Sequence, residues 1–324
     1  MKNQIALIVV YFGPIPHFIR LFLKGCQYNS NVDFWFFTNW DWSSLEIMPN
    51  VKNLPFTLDQ FNRLATQKCG VKIDITQAYK LCDLKPAWAH IFEDYVDNYQ
   101  YVGYCDIDLI FGSIGSFFTD QIRNSADLFT ITTGYLSGAL TIFKNTEKMR
   151  RLYQRAKGWG YIFQDSRHFA FDESLRIKET VFDKEDKESY CLMSFSDLVL
   201  SSPDISVANN RYIGYEQRPC LVIYDHGHVY AEGDEYIFFH YVVAKQSVFW
   251  TLPDWKNVPD KFYVNKYGFY TSEKQPVQFL DLICKSYYRR QVISSMRKKW
   301  KTIKLLIKKC NVKVIIHAII KQFK

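Results

Sequence analysis

The sequence predicts an α/β protein, with a mixed sheet flanked by helices, an antiparallel hairpin extension and a basic helical tail. Three observations lead there. Apolar runs closed by turn residues alternate with helically spaced segments up to about residue 160. Short β-type segments then crowd residues 205–241. The charge is also uneven. The formal net charge is +8, yet Lys285 to Lys324 holds 13 Lys/Arg and no acid, leaving 28 basic against 33 acidic groups before it, a net of −5. A slightly acidic body therefore carries a basic tail with an anionic partner of its own.

Ile5 to Tyr11 is a continuous apolar run stopped by Gly13-Pro14, as expected of a strand buried on both faces. The Gly-Pro pair stands where a leader peptide would need small residues for cleavage, so the run reads as a first strand. His17 to Tyr28 has helical spacing. Val32 to Thr38 reads as a second strand and Val51 to Pro55 as a third. Thr57 and Gln60 have the spacing of a capping box opening a helix to about Cys69. A helix is predicted from Asp83, as N-cap, to Val96, with Pro86 in its first turn. Strands follow at Tyr99–Cys105, Leu128–Thr132 and Ala139–Phe143, then a helix from Thr146 to about Lys157. Hairpin turns are predicted at Asp225-His226-Gly227 and Glu232-Gly233-Asp234, and irregular chain over Ser247–Thr271. Eight scattered cysteines without a CxxC pair argue against a disulfide framework or structural zinc and favour a reducing cytoplasm. No apolar stretch reaches the ~18–20 residues of a membrane span.

The sharpest chemical feature is Tyr101-Val-Gly-Tyr-Cys-Asp106-Ile107-Asp108, an apolar strand that delivers two carboxylates at its C-terminal end. Ligands bind along that edge in open α/β sheets, and residues two apart in extended chain face the same side. Hard oxygen donors suit Mg²⁺ or Mn²⁺, which in turn hold phosphates; a solvated strand end is the plainer alternative. Phe238-Phe-His240 ends a second apolar strand, five residues before Lys245. His240 fits as a third ligand and Lys245 as a counter-charge for a diphosphate, or His240 is simply structural. Asp83 either caps a helix or lies with Lys80 and Lys85 at a phosphate or ribose. Asp172 and Glu173, at an apparent helix start, either complement the helix dipole or supply a general base. His226 and His228 are assigned to a turn. Sequence signatures of a hydrolase elbow, a phosphate loop and a dinucleotide fold are absent.

IALIVVYFGPIPHF, FWFFTNWD, YKLCDLKPAW, YVGYCDIDLIFG and FAFDE together resemble a GT-A type glycosyltransferase. More narrowly, they resemble an uncharacterised bacterial family associated with capsule and lipopolysaccharide biosynthesis, and they span most of residues 1–175. The His240–Lys245 segment is similar to the ending of lipopolysaccharide galactosyltransferases, although no Pro-Trp follows Lys245 and Trp250 comes later. The resemblance implies a nucleoside-diphosphate sugar, by family type a UDP-sugar, bridged by Mn²⁺ or Mg²⁺ to Asp106, Asp108 and His240. Tyr11, Phe12 and Gly13 would border the nucleotide, Thr38 and Asn39 its base or ribose, and Gly134 to Gly138 the sugar and acceptor. It implies a catalytic unit over residues 1–284, with a donor-binding region over residues 1–160 and an acceptor region over residues 161–284, and a tail over residues 285–324. Trp300, Ile303, Ile307, Cys310 and Val314 recur there at spacings of three or four among the basic residues, the pattern of an amphipathic helix on an anionic membrane. The expected setting is the inner face of the cell membrane, with a glycan or lipid-linked acceptor, no nucleic acid and a possible homodimer. Two alternatives are a non-catalytic nucleotide-sugar or glycan binder and a nucleotidyl- or phosphotransferase using the same Asp pair.

Overall fold

Ile5, Leu7 and Val9 pack into one apolar cluster while Ala6, Ile8 and Val10 pack into another, so the first strand is buried on both faces. It is β1 (Ile5–Tyr11) of a computed structural model that describes residues 4–175, 192–208, 212–217, 219, 221–247 and 250–272. Residues Met1–Thr271 form one unit and Ser272–Lys324 another. Only Ser272 of the second unit is among the described residues, so the expected tail lies outside them. No helix among the described residues is long and apolar enough to cross a membrane.

The expected α/β architecture is present. β1 pairs in parallel with β2 (Val32–Thr38) on one side and with β4 (Tyr101–Cys105) on the other, and β2 pairs in parallel with β3 (Val51–Pro55). β7 (Leu140–Lys144) runs antiparallel between β4 and β6 (Leu128–Thr130), and β8 (Val207–Ala208) closes the order β3-β2-β1-β4-β7-β6-β8. The sheet is therefore mixed, with its topological switch between β1 and β4. Helix α1 (Ile19–Tyr28) packs its apolar side against β5 (Leu109–Phe111). Helix α2 (Leu58–Cys69) has the predicted capping box, Thr57 Oγ1 accepting from Gln60 N and Gln60 Oε1 from Thr57 N.

Three expectations are corrected. Asp83 is not an N-cap: it lies in a 3₁₀ segment, Ala78–Leu84, and α3 (Lys85–Ile91) starts after it. Pro86 suits that first turn, where its missing N–H is harmless. Asp172 and Glu173 do not start a helix but sit in a turn, set up by a left-handed Ala170 (φ 56°). The Ser247–Thr271 stretch is not irregular throughout, because β14 (Lys261–Asn265) and β15 (Gly268–Tyr270) form a hairpin.

That hairpin completes a five-stranded antiparallel sheet, β12-β11-β10-β14-β15, with β10 (Val222–Asp225), β11 (His228–Ala231) and β12 (Asp234–Tyr236). Its two predicted turns hold. His226-Gly227 (φ 46° and 83°) and Glu232-Gly233 (φ 55° and 91°) are two-residue turns with both residues left-handed, the twist-matched way to join such strands. A third sheet sets β13 (Phe238–His240) between β5, antiparallel, and β9 (Gly214–Tyr215), parallel.

Asn29 fastens α1 to this assembly. It is 1% exposed, donates from Nδ2 to Gly25 O and Gly112 O, and accepts Ile114 N–H on Oδ1. Replacing it leaves buried backbone groups unpaired. Asn29→Ala is expected to lower the unfolding free energy by about 2–4 kcal/mol in denaturant titration, at unchanged m-value.

Candidate functional site

Asp106 and Asp108 leave the C-terminal end of β4, beside the switch point, and β5 begins at once with Leu109. The β5–β13 pairing sets His240 opposite Leu109, which brings its ring to the aspartates across 132 residues of sequence. Facing donor atoms of Asp106, Asp108 and His240 all lie within 4.8 Å of one another. His240 Nε2 is 3.2 Å from Asp108 Oδ1 and 3.9 Å from Asp106 Oδ2.

Each aspartate's other oxygen is held by a lysine. Lys85 Nζ donates to Asp106 Oδ1 at 2.6 Å and to Gly138 O at 2.9 Å, and lies 3.4 Å from Asp172 Oδ2. Lys245 Nζ donates to Asp108 Oδ2. The inner oxygens thus turn together toward one imidazole nitrogen, with their outer lone pairs already engaged. Two carboxylates and an imidazole form a donor set that fits Mn²⁺ or Mg²⁺. Burial would raise Asp108, but hydrogen bonds and charge from His240 and Lys245 hold its carboxyl well below the usual range. Burial would lower His240, but bonds to Asp108 and Glu216 push it up to about 10.

Asp172 is 3% exposed, and burial, joined by the neighbouring Glu173, pushes its carboxyl up to about 7 against the pull of Lys85. Glu173 Oε1 accepts the Gly138 N–H at 3.1 Å. A methyl on Gly138 would come within 2.5 Å of Asp172 Oδ2 and 3.2 Å of both Lys85 Nζ and Glu173 Oε1, so only glycine lets these groups close around one point.

Lys80 and Asp83 have a different task. Lys80 Nζ donates to Asp83 Oδ2 (2.8 Å), Ile162 O (2.5 Å) and Arg167 O (2.8 Å), which uses its three hydrogens inside the fold. Asp83 is fully buried and accepts the N–H groups of Phe169 and Phe171. The pair holds the segment that carries Asp172 instead of reaching outward. Asp83, His168 and Asp172 also converge within 4.8 Å, but both Asp83 oxygens already accept these bonds.

Along the same edge, Asn39 Oδ1 accepts Gly13 N–H, and Tyr11 packs on Trp40 with ring centres 5.3 Å apart. Thr38 is wholly buried and accepts the Trp42 indole N–H. Phe12 packs on Phe61 in the core, and the half-buried Ile107 packs on the other apolar cluster. One residue went unnoticed in the sequence. Glu216 Oε1 lies 2.7 Å from His240 Nδ1 because the β9–β13 register places it there, a relation no local pattern reveals.

Residues 7–273 match a family described as "Family of unknown function (DUF6625)". No curated protein matches. Solved structures similar to the chain include the apo-form glycosyltransferase GlyE of Streptococcus pneumoniae TIGR4, at 12% identity and TM-score 0.34, covering 65% of this chain and 46% of that one. Another is the galactosyltransferase LgtC in complex with donor and acceptor sugar analogues, at 12% identity and TM-score 0.30, covering 65% and 76%. The matched stretch is thus less than half of GlyE.

Asp172 gives a pH test. Its folded pKa of about 7 exceeds the ordinary 3.8, so the folded chain resists ionisation and the group's contribution to stability falls as pH rises between those values. The stability of Asp172→Asn relative to the parent should rise from pH 4 to 7 and then level off, by at most about 4 kcal/mol. Parallel melts across that range check it; a constant difference would contradict the raised pKa.

Proposed function

The chain belongs to the DUF6625 family, and from that premise we propose that it is a metal-dependent glycosyltransferase of GT-A type. It would move a sugar from a nucleoside-diphosphate sugar, with UDP as the first candidate, to a glycan or lipid-linked acceptor of a bacterial surface polysaccharide. The observation that supports this reading is the inward convergence of Asp106, Asp108 and His240 at the switch point, with Lys85 and Lys245 holding the outer oxygens. This is where α/β sheets take nucleotides, and the donor set is one for a phosphate-bearing divalent ion.

Asp106, Asp108 and His240 would hold Mn²⁺ or Mg²⁺, which when bound supplies positive charge to the departing diphosphate. Lys245, 42% exposed at the mouth of the site, is the ammonium free enough to follow the leaving oxygens. Lys85 is enclosed and keeps Asp106 aimed instead. Tyr11 and the Gly13–Asn39 link border the nucleotide's side of the edge. Gly138, with no side chain, lets Asp172, Glu173 and Lys85 close together on the sugar's side of the edge. In an inverting transfer, Asp172 would accept the acceptor hydroxyl's proton, a task its raised pKa suits; a retaining transfer needs no such base.

A thermal-shift panel of UDP, GDP and CDP, each with and without Mn²⁺, tests the proposal. One nucleotide should stabilise the protein only with metal, by about 2.7 kcal/mol at ~100 times its Kd, or several degrees. Asp108→Asn should fold and lose both that shift and the release of nucleoside diphosphate from the donor. A mutant of full activity would remove the metal site, and pyrophosphate as product would indicate nucleotidyl transfer. The tail is read as a contact with the anionic inner membrane surface. Deleting residues 287–324 should release the protein from vesicles, and binding of the full chain should weaken with salt; salt-insensitive binding would contradict an electrostatic tail.

A further inference from the structure

We propose that Glu216 is a positioning residue for this centre, holding the His240 ring so that Nε2 faces the two aspartates. The inference rests on the metal reading above and adds a residue to it. Two bonds fix the carboxylate. Glu216 Oε1 lies 2.7 Å from His240 Nδ1, and Glu216 Oε2 accepts the Tyr212 hydroxyl. The contact follows from the fold, since Tyr215 pairs with Phe239 and Glu216, just past the end of β9, comes beside His240. His240 is 7% exposed and the Glu216 side chain 19%, so the link is sheltered from water and its geometry persists.

Chemically, an imidazole can offer a lone pair at only one nitrogen. With Nδ1–H donated to Glu216, the lone pair falls at Nε2, on the side where Asp108 Oδ1 and Asp106 Oδ2 wait at 3.2 and 3.9 Å. Without Glu216 the ring is free to rotate or to place its proton on the wrong nitrogen. A carboxylate behind a ligating histidine both orients the ring and raises its basicity, and losing such a partner typically weakens metal binding 10–100-fold. An apolar residue would pack the same gap without desolvating a charge, so structure alone gives little reason for an acid there.

The test is titration of the full-length protein with Mn²⁺, following the free ion by electron paramagnetic resonance, with no nucleotide and no turnover. The parent is expected to bind, and folded Glu216→Ala to bind 10–100-fold more weakly. Glu216→Gln keeps a carbonyl oxygen for Nδ1–H and should recover most of the loss. Tyr212→Phe, which frees one end of the carboxylate, should cost a few-fold. Glu216→Ala binding like the parent overturns the positioning role while leaving the metal site standing. Folded Glu216→Gln as weak as Glu216→Ala overturns it too. A parent that binds no Mn²⁺ overturns the metal reading and this inference together. If Glu216→Ala does not fold, Tyr212→Phe is read against the parent, and parent-like binding by it overturns the inference.

Discussion

The ammonium of Lys85 sits 4% exposed at the first residue of a helix, and three separate stretches of the chain converge on it. Asp106 from the end of β4 and the carbonyl of Gly138 ahead of β7 accept hydrogen bonds from it, and Asp172 from a later turn adds an ion pair at 3.4 Å. Stripping a lysine of water is costly unless each donor finds an acceptor. The folded state therefore has to bring all three together, and their spacing fixes the candidate site. Burial opposes the charge, yet Asp106 heads the neighbours that keep it well above a lysine's ordinary pKa. The neighbouring Lys80–Asp83 pair repeats the device one turn earlier and clamps the backbone at Phe169 and Phe171, which sets where Asp172 can lie.

This arrangement divides the charged groups into two kinds. Lys80, Asp83 and Lys85 are satisfied from within and act as scaffolding. Asp106, Lys245 and Glu173 keep some access to solvent and face the mouth of the site. Asp108 and His240 lie between, buried but turned toward each other across a gap suited to a cation. Such a site has little slack: its carboxylates are aimed beforehand, so binding a ligand there need not wait for side chains to be ordered.

Much of the parallel half of the sheet was legible from the sequence, because a strand buried on both faces must be apolar throughout, and Ile5–Tyr11 and Val32–Thr38 are. The capping box at Thr57 and Gln60 and the turns at Gly227 and Gly233 were legible for a local reason, since each is decided by a few adjacent residues. Asp106, Asp108 and His240 stood out because polar groups that end apolar strands are conspicuous. What was hidden depends on register or on distant partners. Glu216 follows a two-residue strand and has no pattern around it. Asp83 looks like a cap until Lys80 and the backbone near Phe169 arrive to use it. Lys261-Phe-Tyr-Val-Asn265 does alternate, but the preceding prolines and aromatics obscured a strand whose main partner, β10, lies about forty residues earlier.

The pairing of β5 with β13 also bears on the protein's synthesis. Chains emerge N-terminus first and domains tend to fold as they appear, so β1 to β4 are available well before His240 leaves the ribosome. A nascent chain at that stage has both aspartates and Lys85 but neither the imidazole nor Lys245. An unfinished or prematurely released polypeptide thus carries the acidic strand end with Lys85 alone to balance it, and the candidate cation site is complete only once β13 and Lys245 have been made.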